Sequence, residues 1–218
     1  MRKLLSIMIC AAAFAAIPAG HASAAETQSL TIFAKSDPHY VDGKPSRCSI
    51  YFSTIFADPS WGNRAFFAEG TFGIVLTEGG RRFGPITKVA VGERIEQTVG
   101  YKTVPVAISE SAFTGERGLS TKDFESVSVA NPDSPLAEMS VYKLSDKTNK
   151  HNFAEIFEGI TTNLSFKLTE NGKIYSIPID LTLEGVEGGQ EKHSPAALQD
   201  YYKCTIEMVN AVRQNLQK

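Results

Sequence analysis

Two cysteines, Cys48 and Cys204, constrain this chain more than any other feature, because a bond between them would tie an early strand to the last helix. Cys48 lies in Arg47 to Phe56, where Cys48, Ile50, Phe52, Thr54 and Phe56 share one face and Ser49, Tyr51 and Ser53 the other, the period of a half-buried strand. Cys204 lies in SPAALQDYYKCTIEMVNAVRQNL, Ser194 to about Leu216, which opens with Ser194 as N-cap and Pro195 at the first helical position. Leu198, Tyr201, Thr205, Met208 and Val212 recur at helical steps, with Cys204 and Val209 flanking the row. Both cysteines therefore project from apolar sides, as a bridge across a core requires. Such a bridge closes a loop of about 155 residues, for which chain entropy gives an upper figure of about 5 kcal/mol; the alternative is two free thiols.

The bridge presupposes an oxidising compartment, and the start of the chain points to one. Arg2 and Lys3, an apolar run from Leu4 to Ile17, a break at Pro18 and Gly20, and the small residues Ala22-Ser23-Ala24 predict a secretory signal over 1–24. The run is too short for a membrane anchor, which needs about 20 apolar residues, and the third cysteine, Cys10, sits inside it without the small residues a lipoprotein site needs before it. The mature chain, 25–218, then carries 20 basic and 24 acidic side chains, a net charge near −4. Such a balance gives no basic run for nucleic acid or anionic lipid and no acidic tail. Its length suits a single domain.

Between the cysteines the sequence reads as many short strands. They are expected at 30–34, 47–56, 65–68, 72–77, 86–91, 94–99, 103–108 and 138–144, punctuated by Glu78-Gly79-Gly80, Gly84-Pro85 and Gly92. Turns at this frequency, without intervening helices, predict a mainly β fold: an antiparallel sandwich or barrel-like sheet with the C-terminal helix packed on it. Residues 110–137 are polar and are expected to be either a mobile surface segment, the most mobile of the mature chain, or one short strand around Val127 to Val129. Asn152-Phe153-Ala154-Glu155 resembles a capping box before a helix of about two turns ended by Gly159.

Asn163 to Leu183 predicts a hairpin. Asn171-Gly172 suits a two-residue type I′ turn, which would set Leu168 against Tyr175, Phe166 against Ile177 and Leu164 against Ile179, all on one inward face. Pro178 then falls opposite Ser165 and marks a sheet edge or bulge. Residues 184–193, with three glycines, are expected to be a flexible connection.

No motif announces chemistry. His39, His151 and His193 stand in polar contexts without metal-ligand spacing, and there is no G-x-S-x-G, G-x-x-x-x-G-K or G-x-G-x-x-G. No catalytic residue, metal site or cofactor is assigned. Trp61, in the turn-rich stretch 57–63 beside Arg64, reads either as an interface anchor or as a ring folded onto the sandwich. Arg81 and Arg82, in 78–85, read either as an anion contact or as a solubilising hairpin tip. These four residues, Trp61, Arg64, Arg81 and Arg82, are the candidate interaction loop.

The early cysteine strand, Phe153-x-x-Ile156-Phe157-x-Gly159 followed by two strands, Ile179-x-Leu181-x-Leu183-x-Gly185, and the Ala197-Leu198-x-x-x-x-x-Cys204 helix resemble the invasion-associated locus B group of small alphaproteobacterial periplasmic proteins. This chain departs from that pattern in its longer polar stretch at 110–137, its glycine-rich spacer before the helix and its lack of a further early cysteine pair. The resemblance implies an all-β periplasmic protein with a C-terminal helix and a role in envelope or host interaction, and it carries over no catalytic residue. The expected function is a non-enzymatic periplasmic or secreted binding protein whose partner is a protein or an envelope component. The competing expectations are an inhibitor or immunity-type protein that blocks an envelope hydrolase, and an enzyme whose site only the fold assembles.

Overall fold

A computed structural model of the chain describes residues 28–58, 64–77, 82–130, 136–143, 153–187 and 190–216. The predicted signal 1–24, Trp61, Arg81, His151 and Asn152 lie outside these residues. The expected mainly β architecture is the one found. An eight-stranded antiparallel sheet contains β1 (Gln28–Ser36), β2 (His39–Val41), β3 (Lys44–Asp58), β4 (Arg64–Thr77), β5 (Arg82–Glu96) and β6 (Tyr101–Val106). The chain then crosses to a second layer with β7 (Ile108–Gly115) and returns with β8 (Ser126–Ser128) and β9 (Glu138–Tyr142). The second layer is completed by β10 (Thr161–Leu168) and β11 (Ile174–Asp180), which with β7 form a three-stranded sheet ordered β11-β10-β7. The chain ends with the two-stranded β12 (Leu183–Glu187) and β13 (Gln190–His193), then α1 (Ala196–Leu216).

Alternation places the core. Phe52 and Phe56 from β3 and Phe66 and Phe72 from β4 point to one side of the large sheet and meet Phe113, Phe157, Phe166 and Tyr175 of the second layer, all nearly or completely buried. Phe72 stacks on Phe157 at 3.7 Å, and Phe56 lies 5.1 Å from Phe66 and 5.4 Å from Phe166. Edge-to-face and offset pairs of this kind add to the burial of the rings. The helix covers the other end of the same face. Ala197, Leu198, Tyr201, Cys204, Met208 and Val212 are its buried stripe, and Cys204 meets Cys48 with sulfurs 2.00 Å apart. Ser194 caps the helix as expected, its Oγ accepting from the Ala196 N–H at 3.1 Å.

Several local expectations change. The segments 65–68 and 72–77 are one strand, and 86–91 runs on into 94–96, where β5 ends short of the expected 99, because Gly70 and Gly92 sit inside strands rather than at turns. At Gly70 a Cβ would lie 2.5 Å from the Phe52 ring and 2.6 Å from the Lys88 carbonyl oxygen, so the missing side chain makes room for core packing. The polar segment begins with β7, whose Ala112 and Phe113 are buried, and continues into the 3₁₀ turn Thr121–Asp123, closed by a Ser120/Asp123 capping box over buried Phe124. Residues 184–187 and 190–193 belong to β12 and β13, which pair with each other instead of forming a loose connection. The expected two-turn helix is the single 3₁₀ segment Phe153–Phe157, its Phe153, Ile156 and Phe157 buried.

The hairpin forms with its register moved by two residues: Phe166 faces Tyr175, Leu164 faces Ile177, and Pro178 falls opposite Asn163. Its loop is Thr169 to Gly172, with the Gly172 N–H bonded to the Leu168 carbonyl at 2.9 Å and Gly172 at φ +67°. Asn171 keeps negative φ and its Oδ1 accepts from the Lys173 N–H at 2.9 Å, so the pair ends a four-residue loop rather than forming a type I′ turn. A shift of two preserves the face, so the inward residues remain Leu164, Phe166, Leu168, Tyr175, Ile177 and Ile179. Pro178 does mark an edge, since β11 is the outer strand of its sheet.

Candidate functional site

Of the four candidate interaction residues, Trp61 and Arg81 lie outside the described residues, and the other two begin opposite ends of the β4–β5 pairing. Arg64 opens β4 while Arg82 pairs with Thr77 at its far end, about 43 Å of strand away at about 3.3 Å per residue. Arg64 is engaged within the fold. It forms a two-point ion pair with Glu93, lies 3.8 Å from Glu170, and rests its guanidinium 5.4 Å from the centre of the Phe66 ring. The hydrogen bond to Glu93 holds that carboxyl below its usual range and pushes the Arg64 guanidinium up.

Beside Arg64, Asp58 ends β3 with its side chain almost fully buried. It accepts from the Tyr175 hydroxyl at 2.7 Å and from Lys173 Nζ at 2.5 Å. Burial, then the bond to Asp58, pushes the Tyr175 hydroxyl up to about 12. This cluster joins the end of the large sheet to the β10–β11 loop. Every member is held by an opposite charge or a hydrogen bond, which suits a clamp between layers. Nothing local in the sequence announces it, because Asp58 and Tyr175 stand 117 residues apart.

The described histidines also serve hairpins. His39 Nδ1 lies 2.7 Å from Ser46 Oγ. His193 bridges Glu191 at 3.1 Å and Asp180 at 3.3 Å, and its Nδ1 lies 3.2 Å from Thr182 Oγ1. The Thr182 hydroxyl donates to Asp180 Oδ1 at 2.7 Å, so the Thr182–His193–Glu191 chain is not arranged to activate an oxygen nucleophile. Among the described residues no group of three metal-ligating side chains converges.

The feature with the geometry of a binding site is on the outer face of the large sheet. Both β9 and β6 pair with the same edge of β5, β9 along Ile86–Val89 and β6 along Val91–Glu96. At Ala90 the two strands part, β6 leading off to the second layer, and a cleft of about 350 Å³ opens between them. Its floor is Gly92, where a Cβ would meet Thr103 Cγ2 at 2.4 Å. Phe67 and Tyr101 form one wall, their rings 5.8 Å apart and near-parallel at 23°. Leu136 and Ala137, entering β9, form the opposite side. Glu69 lines the end of the cleft, and burial, then the negative charge of Glu69, pushes the Tyr51 hydroxyl up to about 12. At the other end the Arg94 guanidinium lies 4.3 Å from the Tyr101 ring centre.

Sequence reading missed this site. Phe67 stands at an outward position of its strand, opposite in parity to Phe66, and an outward aromatic is a signal; that it meets Tyr101 follows only from the β4–β5–β6 register. No helix among the described residues is long and apolar enough to cross a membrane. No protein-family model matches this sequence, and no curated protein or solved structure matches it either.

Proposed function

We propose that this chain is an exported, non-enzymatic binding protein of the cell envelope, and that the outer face of its large sheet is the contact surface. The observation that carries the reading is the cleft at the parting of β6 and β9, where Tyr101 remains 52 % exposed beside Phe67 and a carboxylate. Rings left open to water next to fixed polar groups are the usual anatomy of a recognition site. The predicted leader, the Cys48–Cys204 pair and the resemblance to periplasmic proteins support the periplasm as its compartment.

The test is co-sedimentation of the mature protein, 25–218, with purified cell-wall sacculi and with vesicles made from envelope membranes. The wild type is expected to pellet with one fraction and Tyr101→Ala to lose at least tenfold in affinity with an unchanged melting curve. Equal pelleting of the two proteins would refute the outer face as the contact surface.

A further inference from the structure

We infer that the outer-face cleft takes an organic ammonium group, the cationic end of a ligand with an apolar shaft, and that Glu69 is its counter-ion. The inference rests on the reading of this face as a binding surface and adds the chemistry of what it holds.

Charge complementarity carries it. Glu69 is the one charged side chain that lines the cleft among the described residues, and the rest of the lining is rings, aliphatic groups, backbone and one threonine hydroxyl. No described lysine or arginine lies within 4.0 Å of its carboxylate; Lys88, on the same face of β5, forms no ion pair with it. An anionic ligand would meet this charge between low-dielectric walls, and a neutral one would leave it unused. An alkylammonium places its N–H groups on the carboxylate and its methylenes against Phe67 and Leu136.

The aromatic wall suits the same guest. Ring faces attract cations, and rings beside a carboxylate are the usual means of holding ammonium groups. The fold already uses Tyr101 in this way, with Arg94 against the ring at 4.3 Å. That guanidinium does not compete for the Glu69 end. It pairs with Glu96 at 3.8 Å and belongs to the strand row of Ala65, four residues along β4 from Glu69, or about 13 Å. A cleft near 350 Å³ is at the small end of ligand sites, which fits one charged group and a short shaft.

The experiment is an amide-resonance titration of the mature protein with n-butylammonium chloride, 1-pentanol and sodium butyrate at constant ionic strength. Butylammonium is expected to shift the Phe67, Ala90, Gly92 and Thr103 amides saturably, at least fivefold more tightly than 1-pentanol, with no saturable effect from butyrate. Glu69 is exposed, so Glu69→Gln should retain the fold. It is expected to remove the preference for ammonium over alcohol at least threefold while leaving pentanol unaffected. Equal binding of ammonium and alcohol, a preference that survives Glu69→Gln, or no saturable shift at these amides would each overturn the inference. Envelope binding that Tyr101→Ala abolishes and Glu69→Gln leaves intact would also overturn the cation while sparing the contact surface.

Discussion

The two faces of the large sheet use neighbouring residues of the same strands for opposite ends. On β4, Phe66 points inward and is completely buried against Phe56, while Phe67, the next residue, points outward and builds the cleft wall with Tyr101. On β3, Phe52 lies in the core while Tyr51 lies on the outer side against Phe33. Inward rings are held by many partners from both layers, so their loss is felt as stability. Outward rings have few partners within the fold and remain available to another molecule. The comparison teaches that aromatic content alone does not separate core from site. Parity along the strand does, once the covered face is known.

That difference also sets what the sequence could reveal. The inward face is a local property: the two-residue period from Cys48 to Phe56 and the helical row from Leu198 to Val212 are read directly, and their burial follows. The hairpin shows the strength and the limit of such reading. Its inward residues are identified correctly although its register is displaced by two, because face depends on parity and register on the loop. In the observed register Tyr175 meets Asp58 on another sheet, a partner that the local sequence does not show. The strand β7 hides in the polar stretch because Ser109, Glu110 and Ser111 precede the few residues it buries. The cleft is the least legible feature of all. It exists because β6 and β9 share one edge of β5 and part at Ala90, a fact of topology with no composition of its own.

The sharpest way to break the inner face is to open its covalent closure. The Cys48–Cys204 link spans 156 residues, and reduction is expected to lower unfolding stability by about 2 to 5 kcal/mol, read by denaturant melts with and without reductant. Phe66→Ala should cost about 3 to 5 kcal/mol as a large-to-small change at a fully buried site. A cost under about 1 kcal/mol would show that the second layer does not pack where described.

Smaller changes sharpen the boundary between the faces. Tyr175→Phe removes one donor from the buried Asp58 carboxylate and should cost about 1 to 3 kcal/mol in the same melts, with envelope binding unchanged because the clamp lies on the inner side. Glu138 tests the space between the layers. Burial raises its pKa, against a hydrogen bond from Ser111, and its Oε2 has no partner among the described residues. A raised folded pKa means that its contribution is fully present below the ordinary glutamate range near about 4.3 and is lost as pH rises through the folded value. Glu138→Gln should therefore be the more stable protein at pH 7, with the advantage fading below pH 4. An advantage that grew toward acid pH would reverse the sign and place the carboxyl in a favourable charged environment.

The central claim is that the outer face serves recognition rather than folding, and Phe67→Ala measures it most directly. The variant's affinity for the envelope fraction that retains the wild type is determined alongside its melting curve. The account predicts at least a tenfold loss of affinity with stability within about 1 kcal/mol of wild type. Unchanged affinity, or a stability loss matching that of Phe66→Ala, would contradict it.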